Sequence, residues 1–199
     1  MLSIDKDCQA EYIINKSRFI SFAYPVFDES SARKILENLN NEYRDATHIC
    51  FAYILDGPSR EKSSDDGEPT GTAGKPMIEL LRKRKLSNIL IAVVRYFGGI
   101  KLGAGGLVRA YTTASNMVLD NANFCEYVDM DSYNISVGLS NGNKAIGYLN
   151  KCDCEILSQK YEDRLILQVV GDIGSISTAI DDVIVEKIGS KKVCRRLPN

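Results

Sequence analysis

The most constraining feature of the chain is the run Ile89-Leu-Ile-Ala-Val-Val94, six consecutive apolar residues that end on Arg95 and lead into a glycine-rich stretch. Short, rich in β-branched side chains and without a polar position, it reads as a central strand buried on both faces. Beyond the glycines, Leu107, Ala110, Tyr111, Ala114, Val118 and Ala122 recur at helical spacing, which predicts a core-packed helix from Gly106 to about Asn121. Upstream, Pro76 suits a first helical position, and Met77, Ile78, Leu80 and Leu81 give that helix an apolar side opposite Arg82 to Lys85.

The preceding segments fit the same alternation of strands and helices. Glu11 to Phe27, around Asn15-Lys16-Ser17, suits a hairpin or two short strands. Ser30 or Ser31 is a candidate N-cap for a helix reaching Tyr43, with Ala32, Ile35, Leu36 and Leu39 facing the core. His48 to Leu55 is strand-like. The residues that follow hold Gly57-Pro58, Asp65-Asp66-Gly67, Pro69 and Gly71, a composition that predicts a long loop without regular structure. From Asp129 a second unit is expected, with strands at Tyr133–Leu139, Glu155–Tyr161, Leu165–Val170 and Lys187–Arg195. Helices are expected at Asn143–Lys151 and Ser175–Val185. The order βαββαβ is the ferredoxin-like, split-βαβ pattern. A length of 199 residues accommodates two small domains, placed at 1–128 and 129–199.

Composition narrows the class. Apolar content of 44% and charged content of 26% are those of a globular protein, with no run long enough to span a bilayer, so no membrane partner is expected. The charged start Met-Leu-Ser-Ile-Asp-Lys-Asp lacks a signal-peptide core, and the cytosol is the expected compartment. Cysteines 8, 50, 125, 152, 154 and 194 are scattered, which favours reduced thiols, and the Cys152/Cys154 spacing is not that of a structural zinc pair. The formal net charge of −1 is unevenly spread. Lys75, Arg82, Lys83, Arg84, Lys85, Arg95, Lys101 and Arg109 face only Glu79 between positions 75 and 109, a net +7 that leaves −8 for the rest and suggests an anionic partner.

Chemistry concentrates in Arg95-Tyr-Phe-Gly-Gly-Ile-Lys-Leu-Gly-Ala-Gly-Gly-Leu-Val-Arg109. Gly98, Gly99, Gly103, Gly105 and Gly106 permit positive φ and close approach of backbone N–H groups to a ligand, and a helix N-terminus adds partial positive charge. Arg95, Lys101 and Arg109 could complete a phosphate or carboxylate site, and Tyr96 could stack on a base. The spacing matches neither the phosphate-binding G-x-x-x-x-G-K-[ST] nor the dinucleotide G-x-G-x-x-G pattern. Adjacent Tyr96 and Phe97 read equally as half core and half surface.

The acidic loop Asp65, Asp66 and Glu68, with Thr70, Thr72 and Lys75, is an accessory constellation. Its carboxylates could hold magnesium, cover the glycine-rich stretch, or pair with its arginines. No metal or cofactor is called for. His48 and Cys50 share a strand face, as a nucleophile and base would, yet nothing marks Cys50 as activated.

Ala46-Thr47-His48, the loop Ser64-Asp-Asp-Gly-Glu-Pro-Thr-Gly-Thr-Ala-Gly74 and Arg95-Tyr-Phe-Gly-Gly…Leu102-Gly…Gly105-Gly-Leu-Val-Arg-Ala-Tyr111 together resemble the YigZ/IMPACT family. The resemblance covers about Lys16 to Asn123, and the later unit is similar to the smaller domain of two-domain bacterial members. It implies an α+β protein whose N-terminal domain has a ribosomal-protein and kinase-like βαβ fold with a left-handed crossover. The second domain it implies is ferredoxin-like, similar to the last domain of elongation factor G. Eukaryotic relatives restrain a stress kinase that acts on a translation initiation factor. Here the family motifs begin near the first residue, with no separate partner-binding domain ahead of them, so that mechanism is not carried over.

Two functional readings follow. The first is a non-enzymatic, translation-linked regulator that binds RNA, the ribosome or a translation or stress factor through the basic glycine-rich face. The second is an enzyme or binding protein for a small phosphorylated ligand, with magnesium on the acidic loop.

Overall fold

The structure is a computed structural model that describes residues 2–56 and 60–196; the turn expected at Gly57-Pro58 lies outside the described residues. The chain divides into two compact units, Met1–Glu126 with Arg196–Asn199, and Tyr127–Arg195.

In the first unit, β1 (Leu2–Ile4) is followed by the hairpin of β2 (Cys8–Ile14) and β3 (Ser17–Pro25). Its two-residue turn, Asn15 and Lys16, has both residues at positive φ, which matches the right-handed twist of the flanking strands. Helix α1 (Glu29–Glu42) is capped by Asp28, whose carboxylate accepts from the Ser31 backbone N–H at 2.7 Å. Asp28 therefore takes the cap expected of Ser30 or Ser31, since those residues already lie in the first turn. Then come β4 (His48–Ile54), β5 (Glu61–Ser64), α2 (Gly74–Lys83), β6 (Ile89–Tyr96) and α3 (Gly103–Asp120).

Strands β2 to β6 form one sheet in the order β2-β3-β6-β4-β5, every neighbouring pair antiparallel. β3 and β4 consequently run parallel with β6 between them, and β3–α1–β4 is a crossover unit. β6 is buried along its apolar length, as its composition demands, and its residues alternate between two cores. Ile89, Ile91 and Val93 pack with α2 and α3; Leu90, Ala92 and Val94 pack on the face that carries α1.

Three local expectations are corrected. The long loop contains a strand, because residues 61–64 pair with Phe51–Ile54 and so satisfy backbone groups that a free loop would leave to water. α2 begins at Gly74, two residues before Pro76, and α3 begins at Gly103, so Gly103, Gly105 and Gly106 are helical.

The second unit comprises β7 (Phe124–Gly138, from Tyr127 onward), α4 (Gly142–Leu149), β8 (Cys154–Tyr161), β9 (Arg164–Gly171), α5 (Ile176–Ala179) and β10 (Val183–Arg196). Its strand order, β8-β9-β7-β10, is the split-βαβ arrangement. Ile135, Val137, Ala145, Leu149, Leu165, Leu167 and Val169 form its core. The helix expected over Ser175–Val185 is a single turn, and Val183 already belongs to the last strand. β-branched Ile180, Val183, Ile184 and Val185 favour that extended state. In the first unit, Leu2–Ile4 pairs with Phe124–Glu126, a contact no local pattern announced.

Candidate functional site

Period-two alternation delivers Arg95 to the site. It continues the Ile91, Val93 face of β6, so its side chain points toward α2 and α3, and only 5% of the residue is exposed. Phe19 on β3 and His48 on β4 are its register partners on either side. The guanidinium lies 5.4 Å from the Phe19 ring centroid and 5.6 Å from that of Phe97, within cation–π range of both.

The charge of Arg95 is met by Glu68, equally buried, at 2.5 Å. A tight turn places this carboxylate: Glu68 N–H donates to the Asp65 carbonyl, and Asp66 and Gly67 between them both have positive φ. The same Glu68 oxygen accepts the Tyr111 hydroxyl from α3 at 2.7 Å. The Cys50 thiol donates to the Asp65 carbonyl at 2.9 Å and lies 3.4 Å from the Tyr111 oxygen. Burial pushes the Cys50 thiol up to about 12, and burial first, then the neighbouring Cys50 and Glu68, pushes the Tyr111 phenol far above its ordinary value. Neither is poised as a nucleophile or base at neutral pH. Arg95 Nε, buried with them, has no hydrogen-bond partner among the described residues.

The other acidic residues are committed to the backbone. Asp65 accepts from Gly71, Ala73 and Gly74 N–H at 2.8, 2.9 and 2.8 Å, closing the start of α2, which has no cap from its own N-cap residue. Asp66 accepts from Ile49 N–H at 2.6 Å. The magnesium set envisaged for Asp65, Asp66 and Glu68 is thus broken up by partners that each carboxylate already serves, and among the described residues no cluster has metal-ligand geometry. Thr72 is buried and bonds the Pro69 carbonyl at 2.6 Å, whereas Thr70 and Lys75 are exposed.

The glycine-rich stretch divides by role. Gly98 passes so close to the hairpin turn that a Cβ would meet the Lys16 carbonyl group at 2.0–2.2 Å, and its N–H donates to Ser17 Oγ. Gly98→Ala should destabilise the protein by about 1–3 kcal/mol through this backbone clash, measurable as a lower urea midpoint. Beside Gly99, Gly103 and Gly105 there is open space. Leu102 offers no side-chain cap to α3, so its first N–H groups remain available. Lys101 and Arg109 are exposed; Tyr96 is half-buried, bonds Asp45 through its hydroxyl and packs on the α1 face.

Thr47, His48, Glu68, Pro69, Arg95 and Phe97 join Lys101, Leu102, Gly103, Ala104 and Leu107 around a cavity of about 440 Å³. Thr47 Oγ1 accepts from Phe97 N–H at 3.0 Å, and His48 Nδ1 lies 2.6 Å from the Asp66 carbonyl, which makes Nδ1 the donor. The structure therefore brings together Arg95, Lys101, Gly103, His48 and Glu68. It does not bring Arg109, Thr70 or Lys75 to this cavity. Phe19 escaped the reading of the residues, and strand alternation places it only once the register is known; Thr47, quoted only within its motif, lies in the bend just before β4. In the second unit Cys152 and Cys154 donate to the Tyr148 and Leu149 carbonyls of α4.

The Impact N-terminal domain family matches residues 15–119. An IMPACT family member from Bacillus subtilis, YvyE, is 49% identical over 102 residues, 51% of this chain and 47% of that protein, so the match spans about half of its length. YigZ of Escherichia coli is 35% identical over 159 residues, 78% of each chain, and a relative from Haemophilus influenzae is 33% identical over 92% of this chain and 90% of its own. A crystal structure described as that of a hypothetical protein is 32% identical, with a TM-score of 0.62 over 86% of this chain and 84% of that one. A domain match over more than half of the chain and relatives aligned along most of it agree with the three motifs around the cavity: this chain belongs to the YigZ/IMPACT family.

Proposed function

We propose that the protein is a non-enzymatic, translation-linked regulator that binds RNA through the helical side of its first unit. One observation supports this above others. Of the eight cations between Lys75 and Arg109, Arg82, Arg84 and Arg95 are neutralised by Glu61, Asp120 and Glu68. Lys75, Lys83, Lys85, Lys101 and Arg109 are all exposed and make no ion pair among the described residues. They lie on α2, on α3 or on the segments flanking them, so the proposed surface moves from Arg95 itself to these cations.

Phosphate contacts of this kind release counterions, so affinity for RNA or ribosomes should fall steeply with salt. The triple variant Lys83→Ala, Lys85→Ala, Arg109→Ala should flatten the slope of log affinity against log salt by roughly 2. Co-sedimentation with ribosomes and filter binding to single-stranded RNA over a salt series provide the measurement. An unchanged slope would remove this surface from consideration. The translation link itself rests on the family, and the absence of an activated nucleophile at Cys50 favours binding over catalysis.

A further inference from the structure

A groove of about 500 Å³ runs between α2 and α3, within the cationic surface assigned above. Pro76 and Leu80 of α2 and Val108 of α3 give it apolar walls. Its polar side chains sort into two sets. Those along α3 are committed: the Thr112 hydroxyl donates to the Val108 carbonyl at 2.8 Å, and Asn116 Nδ2 donates to the Thr112 carbonyl at 3.0 Å. Arg84, just beyond α2, donates to Asn116 Oδ1 and to Asp120, both at 2.7 Å. Glu79 and Lys83 remain. They lie one turn apart on α2, both are exposed, and among the described residues neither makes a hydrogen bond or ion pair, even with the other.

Glu79 is the only acidic residue between positions 75 and 109. A carboxylate beside phosphate-binding lysines repels the backbone those lysines attract, so the part of an RNA that meets it has to be a hydrogen-bond donor. The donors of RNA are the ribose 2′-hydroxyl and the base edges, and apolar walls suit the flat face of a base. Among the four bases, only guanine sets two donors side by side, N1–H and N2–H, which the two oxygens of one carboxylate accept together. The neighbouring O6 is an acceptor, as the Lys83 ammonium requires. We infer that this groove holds one unpaired guanine of a single-stranded RNA, with Glu79 accepting from N1–H and N2–H and Lys83 donating to O6. The inference rests on the RNA reading above and adds to it a base preference, which phosphate contacts by themselves do not give.

Fluorescence anisotropy of the full chain with labelled uridine oligonucleotides tests this, each strand carrying one central guanosine, adenosine, inosine or uridine. The guanosine strand should bind about tenfold more tightly than the uridine strand. Adenosine, a purine without the paired donors, and inosine, which lacks the N2 amino group, should fall near uridine. Glu79→Gln changes an exposed position and removes a repelling charge, so this variant should bind the uridine strand at least as tightly as wild type. It should lose the guanosine preference, because glutamine offers one acceptor oxygen to two donors. Adenosine or inosine bound as tightly as guanosine, a preference that survives in Glu79→Gln, or a uniform loss of affinity in that variant each overturns the inference. Salt-sensitive binding that ignores the central base overturns this inference alone, whereas no binding of any strand overturns the RNA reading with it.

Discussion

Glu68→Ala should lower the stability of the first unit by about 3–5 kcal/mol, the largest effect expected of any single change at this site. The wild-type pair is almost fully withdrawn from water, with side-chain exposures of 6% for Arg95 and 3% for Glu68. Removing the carboxylate leaves an almost fully buried guanidinium without its counter-charge, and the Tyr111 hydroxyl loses its acceptor as well. The rings of Phe19 and Phe97 offset part of this loss, but cation–π contacts of this kind contribute only about 0.5–2 kcal/mol. Glu68→Gln retains an oxygen for Tyr111 and should fall between wild type and alanine. Replacing both partners, with Glu68→Leu and Arg95→Met, should recover most of the loss, since no buried charge then remains. Hydrogen exchange of the β6 amides reports the first unit without interference from the second. A loss below about 1 kcal/mol for Glu68→Ala would mean that the pair behaves as a solvent-screened one, contrary to the geometry.

Asp65→Ala should cost roughly 2–4 kcal/mol, because one carboxylate satisfies three backbone N–H groups at the mouth of α2. Burial by itself pushes the Asp65 carboxyl up; the bonds from Gly71, Ala73 and Gly74 outweigh it, and the net result lies below the usual carboxylate value. In the unfolded chain this group holds its proton to a higher pH than in the folded one. Its contribution to stability is therefore complete above the ordinary pKa of about 3.9 and is lost as pH falls through the lowered folded value. Wild type should lose stability more steeply than Asp65→Ala below about pH 4, measured by urea unfolding across an acid series. Parallel acid limbs for the two proteins would contradict the bonding seen around Asp65. Asp65→Asn, which keeps an acceptor but cannot titrate in this range, should be milder than alanine and share its flatter limb.

These two carboxylates also mark the boundary of what could be read from the chain. The composition of Asp65-Asp66-Gly67-Glu68 announces a turn, and the turn is there. Free acidic side chains on a loop look the same in a sequence as side chains that cap a helix or neutralise a buried cation. The magnesium reading depended on that ambiguity. The glycine-rich stretch was similarly half legible. Its position between a buried strand and a helix is as expected, but Gly103, Gly105 and Gly106 lie inside the helix, because residues 103–106 can form its first turn once Leu102 ends the loop. Helical spacing could not place that start, since the first three glycines of a helix carry no apolar signal.

The sequence by itself determined the local elements and their faces: the β2–β3 hairpin, the buried β6 strand, the α3 stripe, the βαββαβ order of the second unit and the family motifs. Each depends on interactions among residues a few positions apart, whose periodicity a chain displays openly. Tertiary structure alone decided that Arg95 is a buried ion-pair partner and not a surface phosphate ligand, and that a cavity opens beside it. Those outcomes join residues 27 and 43 positions apart through Glu68, and 61 apart through Cys50 and Tyr111. Pairing register across β3, β6 and β4 fixes which side chains meet, and a shift of one residue would have turned Arg95 to the α1 face.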